Sequence, residues 1–383
     1  MATSADGYRL TRLQDQAFIG GNTVSIQTAG QVPAGRDVVG VVFRLDLDIT
    51  QPGAGMAAQL GAVLHQLIAQ VKIGRRIAIT GLGMKVLSWM MFGRETNFPA
   101  GFPATASAVF SRGIVWTLWY ADPSSRAPND GVVPSQLWTD PIEVRFGTSA
   151  IFAATVPTLG NGTLRTYVVH QASQQDDDTA VIPASLNIQS EDFNALTAII
   201  NKAGRWVYAA AYREASNDAG GITNTQVSGF TSYIDGEPVL NNVRSQDAAS
   251  VFNVLKAAGG NIELESQTDP RGGENIDDLP GPAAAAGQAT TVDYLPLIVP
   301  AHPYLISETP EAVQGFKAEF QGTLGAYKIA YRIVEPRPMG NLGNASRKLG
   351  IGDADFKIKT HSKTDLNNAR LAPYLPIRLL RKR

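Results

Sequence analysis

An all-β chain made of two β-sandwiches is what this sequence predicts, and three observations predict it. Apolar residues alternate with polar ones at period two in segment after segment. The composition is rich in turn formers, with 37 Gly and 22 Pro in 383 residues, while charged residues reach only 17%, below the usual quarter. Finally, the order of strand-like segments in the first half recurs in the second. The length suffices for two domains that each bury a core.

Taken in chain order, the first strong strand is 41–49. There Val41, Phe43, Leu45, Leu47 and Ile49 face one way, and Arg44, Asp46 and Asp48 the other, the pattern of a half-buried antiparallel strand. A third helix is expected over 53–66. Residues 67–73 and 77–79 read as short strands around a Gly74-Arg75-Arg76 turn. The run IVWTLWY at 114–120 is apolar on both faces and predicts a strand covered on both sides. Ile142, Val144 and Phe146 alternate with Glu143 and Arg145, and a further strand covers 164–171.

The second series opens with a predicted helix at 191–203. It has Phe193, Leu196, Ile199 and Ile200 at helical spacing, Ser190 as cap and Gly204 as stop. Strands follow at 205–213 and 226–234, the latter ending in an Asp235-Gly236 hairpin signal. Another helix is expected at 246–258, around Val251, Val254 and Leu255. Strands at 294–299, 316–320 and 327–334 complete the series, the last with Tyr327, Ile329, Tyr331 and Ile333 on one face.

The two series match in order. Segment 38–48 corresponds to 205–215, the turn-centred pair 68–79 to 228–240, 113–123 to 293–303, 141–147 to 315–322, and 164–171 to 327–334. The third pair ends each time in a small residue, one residue and a proline: Ala121-Asp122-Pro123 and Ala301-His302-Pro303. The expected organisation is an N-terminal arm at 1–20, a first domain at 21–175 and a second at 176–336. A Gly/Ala/Pro-rich loop insertion occupies 268–291, and a basic arm 337–383. That last stretch holds eleven Lys/Arg against three Asp/Glu, whereas the whole chain carries a formal charge of −1.

Little in the residues points to catalysis. With no cysteine, disulfides, thiolate metal sites and cysteine nucleophiles are excluded. His65, His170, His302 and His361 are too dispersed for a metal site, and no His-x-His pair of cupin type exists. Gly81-Leu82-Gly83 lacks a third glycine and no Gly-Lys-Ser/Thr follows, so no nucleotide loop is expected. No Gly-x-Ser-x-Gly elbow appears. Asp176 to Asp178 suit a solvated loop better than Ca²⁺. Asp46 and Asp48 share a strand face as a sugar-active pair would, but beside Arg44 they read as surface contacts. Trp89, Met90, Met91 and Phe92 form an apolar group whose default place is the core, with a subunit contact as the other reading. No catalytic, cofactor-binding or metal residue is therefore expected. No 18-residue apolar run predicts a membrane helix, and 1–20 lacks the apolar core of a signal peptide.

The runs VVGVVFRLDLDIT (38–50), LIAQVKIGRRIAITGLGMKVLSWM (67–90), GIVWTLWYADP (113–123) and NDGVVPSQLWTDPIEVRFG (129–147) resemble the first domain of double jelly-roll major capsid proteins. This is the tectivirus–adenovirus lineage, with related internal-membrane bacteriophages. Asp130 and Pro134 supply the loop phrase of that pattern, and Gly147 its ending. GFTSYIDGEPVLNNV (229–243) and YLPLIVPAHPYLISETP (294–310) are similar to the second domain. The resemblance covers roughly residues 20–336.

It implies two eight-stranded antiparallel jelly rolls with a few short helices, in a structural virion protein that folds in the host cytoplasm. It implies homotrimers of hexagonal outline that tile an icosahedral capsid against neighbouring capsomers and a vertex protein. The basic arm would dock on a neighbour through Leu371, Tyr374, Leu375, Ile377, Leu379 and Leu380, with its end on membrane head groups or the genome. The rival readings are a phage spike or receptor-binding sandwich and, behind it, a cupin-like or sugar-active enzyme.

Overall fold

The computed structural model describes residues 7–50, 64–92, 109–120, 132–151, 158–172, 185–202, 204–214, 222–223, 225–245, 247–248, 291–292, 294–298, 306–307 and 315–335. Strand 41–49 extends to β4 (Arg36–Thr50). All five of its inward apolar residues are buried, at no more than 1% exposure. β4 pairs antiparallel with β10 (Thr158–Ala172) on one side and β7 (Val109–Trp119) on the other. β1 (Arg9–Arg12) and β2 (Gln16–Ala17) add to the far side of β10. Residues 9–17, read from sequence as part of an arm, thus pair within their own chain. The sheet order is β1-β10-β4-β7.

Facing it is β3-β9-β5-β6, built from β3 (Thr23–Ile26), β5 (Ile68–Ile73), β6 (Ile77–Ile79) and β9 (Ile142–Phe146). Each contributes its buried alternate residues, such as Ile26, Val71, Ile79 and Val144, to one core with β4 and β10. β7 is less covered than expected: Ile114, Trp116 and Leu118 are buried, but Val115, Thr117 and Trp119 only half so.

The second half repeats this plan. β11 (Ser185–Phe193), β21 (Tyr327–Glu335), β13 (Gly204–Tyr212) and β18 (Tyr294–Pro296) form one sheet in the order β11-β21-β13-β18. β12 (Thr197–Ile200), β20 (Phe316–Gly322), β15 (Val227–Ile234) and β16 (Glu237–Arg244) form the other, in the order β12-β20-β15-β16. The two join over a second core around Trp206, Phe230, Phe316, Phe320 and Tyr331, where Trp206 stacks on Phe316 with ring centroids 4.9 Å apart.

The five matched segments of the sequence occupy equivalent places: β4 and β13, β5-β6 and β15-β16, β7 and β18, β9 and β20, β10 and β21. A bulge marks the duplication independently. The ladder skips Val39 between Val38 and Gly40, and likewise Val207 between Trp206 and Tyr208. Bulges re-aim a strand at one point, so their match sets the register: Val39 answers Val207.

One expectation about helices needs correction. No helix runs through 191–202: β11 ends at Phe193, the chain turns, and β12 pairs with β20. Leu196 and Ile199 are 39% and 41% exposed while Ala198 and Ile200 are buried, the alternation of a strand. The helical spacing arose from two strand ends either side of a turn whose Ala195 carbonyl accepts from the Tyr327 hydroxyl at 2.8 Å.

The helix the sequence did not reveal is α1 (Gly81–Phe92). Thr80 caps it, its hydroxyl accepting from the Gly83 amide at 3.0 Å. Leu82, Met84, Val86, Leu87, Trp89, Met90 and Met91 are all buried. A helix apolar all round shows no amphipathic stripe, so periodicity cannot find it. Most of the expected helices at 53–66 and 246–258 lies outside the described residues. So do the 268–291 insertion and the 337–383 arm.

Candidate assembly surfaces

The halves meet along one strand pair and one helix. β6 lies parallel to β11, with Ile77 opposite Ile188 and Ala78 opposite Gln189. It is the one parallel pairing among the described strands, and it fuses the second sheet of the first half with the first sheet of the second half. The Ile188 amide donates to the Arg76 carbonyl at 3.0 Å. α1 leaves β6 and packs against β7 on its own side and β13 and β21 across the junction. Trp89 stacks on Tyr294 at 5.8 Å. The Tyr212 hydroxyl accepts from Thr80 at 2.7 Å and donates to Ser190 at 3.0 Å. Arg332, 1% exposed, reaches from β21 to the Tyr120 carbonyl at 2.6 Å.

Ile188, Tyr208, Ala210, Tyr212 and Ala330 therefore belong to the first half's core cluster, although they sit on the outer face of a second-half sheet. Burying each large apolar side chain is worth roughly 1.5–3 kcal/mol. The apolar group at 89–91 is thus core, as its default reading had it, and that core is the junction.

The equivalent outer face of the first half, on β1-β10-β4-β7, is covered less. It has a small cluster of Val39, Val132 and Val169 with Val42 and Trp119 against it. Tyr8 and Leu10 are 52% and 65% exposed, and the Tyr8 ring lies 6.0 Å from that of Trp119. Along one side runs an ion network. Asp46 pairs with Arg44 at 3.0 Å and with Arg165, while Arg12 pairs with Asp15. The Arg12 guanidinium holds the Asp15 carboxyl below its ordinary value. Asp46, one of the two carboxylates read as a possible pair on β4, is thus engaged by arginines.

The histidines that are described have structural surroundings. His170 accepts from the Arg36 guanidinium through Nδ1 at 2.9 Å, and its Nε2 meets the Thr11 hydroxyl at 2.9 Å. The second bond ties β10 to edge strand β1. Burial, with Arg36 and Arg9 nearby, pushes its pKa down. The His65 ring stands edge-on to Trp116, whose indole donates to the His65 carbonyl. Gly81-Leu82-Gly83 is the first turn of α1. His302, His361 and Asp176 to Asp178 lie outside the described residues. Among those described, no group of three metal-ligating side chains forms, and no helix is long and apolar enough to cross a membrane. An open groove of about 560 Å³ is lined by Asp192, Asn194, Arg213, Glu214, Tyr327 and Lys328. Lys328 lies between its carboxylates, bonded to Asp192 and 3.6 Å from Glu214. Burial raises the Glu214 carboxyl and Lys328 opposes the rise.

Two sandwiches of matched strand order in one chain define a double jelly roll. Solved structures share it. The chain is similar to the STIV MCP at 13% identity and a TM-score of 0.52, over 86% of this chain and 97% of that one. It is similar to the quasi-atomic PBCV-1 virus capsid at 10% identity and a TM-score of 0.50, over 87% and 94%. The major capsid protein of bacteriophage PM2 aligns over 86% and 99% at 12% identity, with a TM-score of 0.47. No protein-family model and no curated protein matches the sequence.

Proposed function

We propose that this protein is a major capsid protein, the coat subunit of an icosahedral virion. The observation that carries the reading is the duplication: two jelly rolls of one strand order and one bulge position, held by a continuous sheet. A subunit with two similar domains in fixed relation offers two similar outer surfaces, and three copies offer six. That is the geometry of a trimer with hexagonal outline, able to tile a shell. Likeness of fold to an MCP and to a virus capsid supports the same reading.

The reading gives the chain no catalytic part: Asp46, weighed as a carboxylate of a sugar-active pair, is engaged by Arg44 and Arg165, and His170 by Arg36 and Thr11. We further propose the domain division 21–175 and 176–336, with β1 and β2 completing the first roll. The basic segment 337–383 then meets neighbouring capsomers, and its end meets membrane head groups or the genome. Electron microscopy of purified protein, with its mass in solution, tests the proposal. Flat trimers of hexagonal outline or closed shells are expected; a stable monomer at all concentrations would overturn it.

A further inference from the structure

The end of the first roll where β4 begins and β10 finishes gathers basic side chains from three neighbouring strands. Arg9 on β1 stands opposite His170 on β10, and Arg36 on β4 stands opposite Ala172, two residues further along. The Arg36 Nε donates to His170 Nδ1 at 2.9 Å, and the Thr11 hydroxyl meets Nε2 at 2.9 Å. The charges felt by the ring are those of Arg36 and Arg9. Arg9 is exposed, Arg36 and Thr11 are half-buried, and His170 is 3% exposed. The imidazole thus forms a floor and the guanidiniums a rim. The carboxylate next in sequence, Asp37, is buried, and strand alternation places it on the other face of β4 from Arg36.

The second roll shows that the fold itself does not call for this cluster. The shared bulge and the ladders set Arg9 equivalent to Asn187, Thr11 to Gln189, Arg36 to Gly204 and His170 to Ile333. None of the four is ionisable in the second roll, and Asn187 and Ile333 are packed away at 4% and 0% exposure. The first roll alone therefore carries a concentrated positive potential at this place. A guanidinium has five N–H donors, so the bond to His170 uses one of those on Arg36. By holding Nε it also fixes the plane of the fork, the part that matches two oxygens of a phosphate group. We infer that Arg9 and Arg36 bind a phosphate-type oxyanion at this end of the first roll. The site belongs to a single roll and stands apart from the coat-subunit reading.

Titration of the full chain with inorganic phosphate tests the site. Phosphate is expected to raise the melting temperature along a saturating curve. Chloride at matched ionic strength, which only screens, is expected not to. Arg9→Gln, at an exposed position, is expected to bind phosphate about tenfold more weakly, the worth of one charged hydrogen bond. Arg36→Lys keeps the charge but loses the fork, and is expected to weaken binding likewise. Arg44→Gln removes an equal charge further along β4 and is expected to bind as the unmodified protein does. Equal rises in phosphate and chloride, or undiminished binding in both Arg9→Gln and Arg36→Lys, would overturn the site. The same oxyanion occurs on lipid head groups. Phosphatidic acid vesicles that displace bound phosphate would support the site with a lipid source, and vesicles without effect would support it with the free ion. Retention on vesicles without any binding of free phosphate would overturn it.

Discussion

His170 shows how one residue joins local chemistry to a surface. It reaches Thr11 on the edge strand and accepts from Arg36, which requires the neutral ring. A proton there would set a cation beside Arg36 and Arg9. Because its folded pKa is lowered, the folded state binds protons less readily than the unfolded chain. Its stabilising contribution is therefore full above the ordinary value of about 6.5 and is lost as pH falls toward the folded pKa. Urea midpoints are expected to drop between pH 7.5 and 5.5, and that drop to be smaller in His170→Gln. An equal drop in both proteins would place the titrating group elsewhere.

Among the elements, α1 has the most consequence for its size, because it belongs to one roll and packs on the other. Gly83 marks how close the approach is. A Cβ there would stand 2.5 Å from the Ser190 hydroxyl and 2.9 Å from that of Tyr212. Alanine favours a helix over glycine by about 1 kcal/mol. The clash would part the Tyr212–Ser190 bond and overpack the junction, at a cost of roughly 1–3 kcal/mol, and this outweighs the propensity gain. Gly83→Ala is thus expected to lower the urea midpoint, and a raised midpoint would show that the junction yields. The β15-β16 hairpin is simpler. Asp235 and Gly236 take φ of 50° and 85°, the left-handed pair a two-residue turn between twisted strands requires.

At the scale of the whole molecule, the two rolls share a sheet, a helix and a core cluster. Neither can unfold without exposing Trp89, Ile188, Tyr212 and Tyr294. Coupling of this kind makes one cooperative transition the expected result of scanning calorimetry. Two separated transitions would show that the junction adds little. Rigid pairing of the rolls is also what a coat subunit needs, since a fixed angle between domains determines the curvature of whatever it tiles.

Strand alternation at 41–49 and 142–146, the Asp-Gly turn and the order of the two series were legible in the residues, because each depends on neighbours near in the chain. The likeness of the two halves was legible too, though 38–48 matched against 205–215 falls one residue short of the register the bulges set. Residues 191–203 were misread because helical and strand spacing coincide across a short turn, and only pairing with β20 separates them. α1 was hidden because burial on every side erases its stripe, and part of that burial comes from β13 and β21, strands more than a hundred residues away. The sequence by itself determined that strands such as 41–49, 142–146 and 327–334 form and that their order recurs. Only the tertiary structure decided that the first roll covers one face of the second, because β6 reaches β11 through contacts that local pattern does not encode.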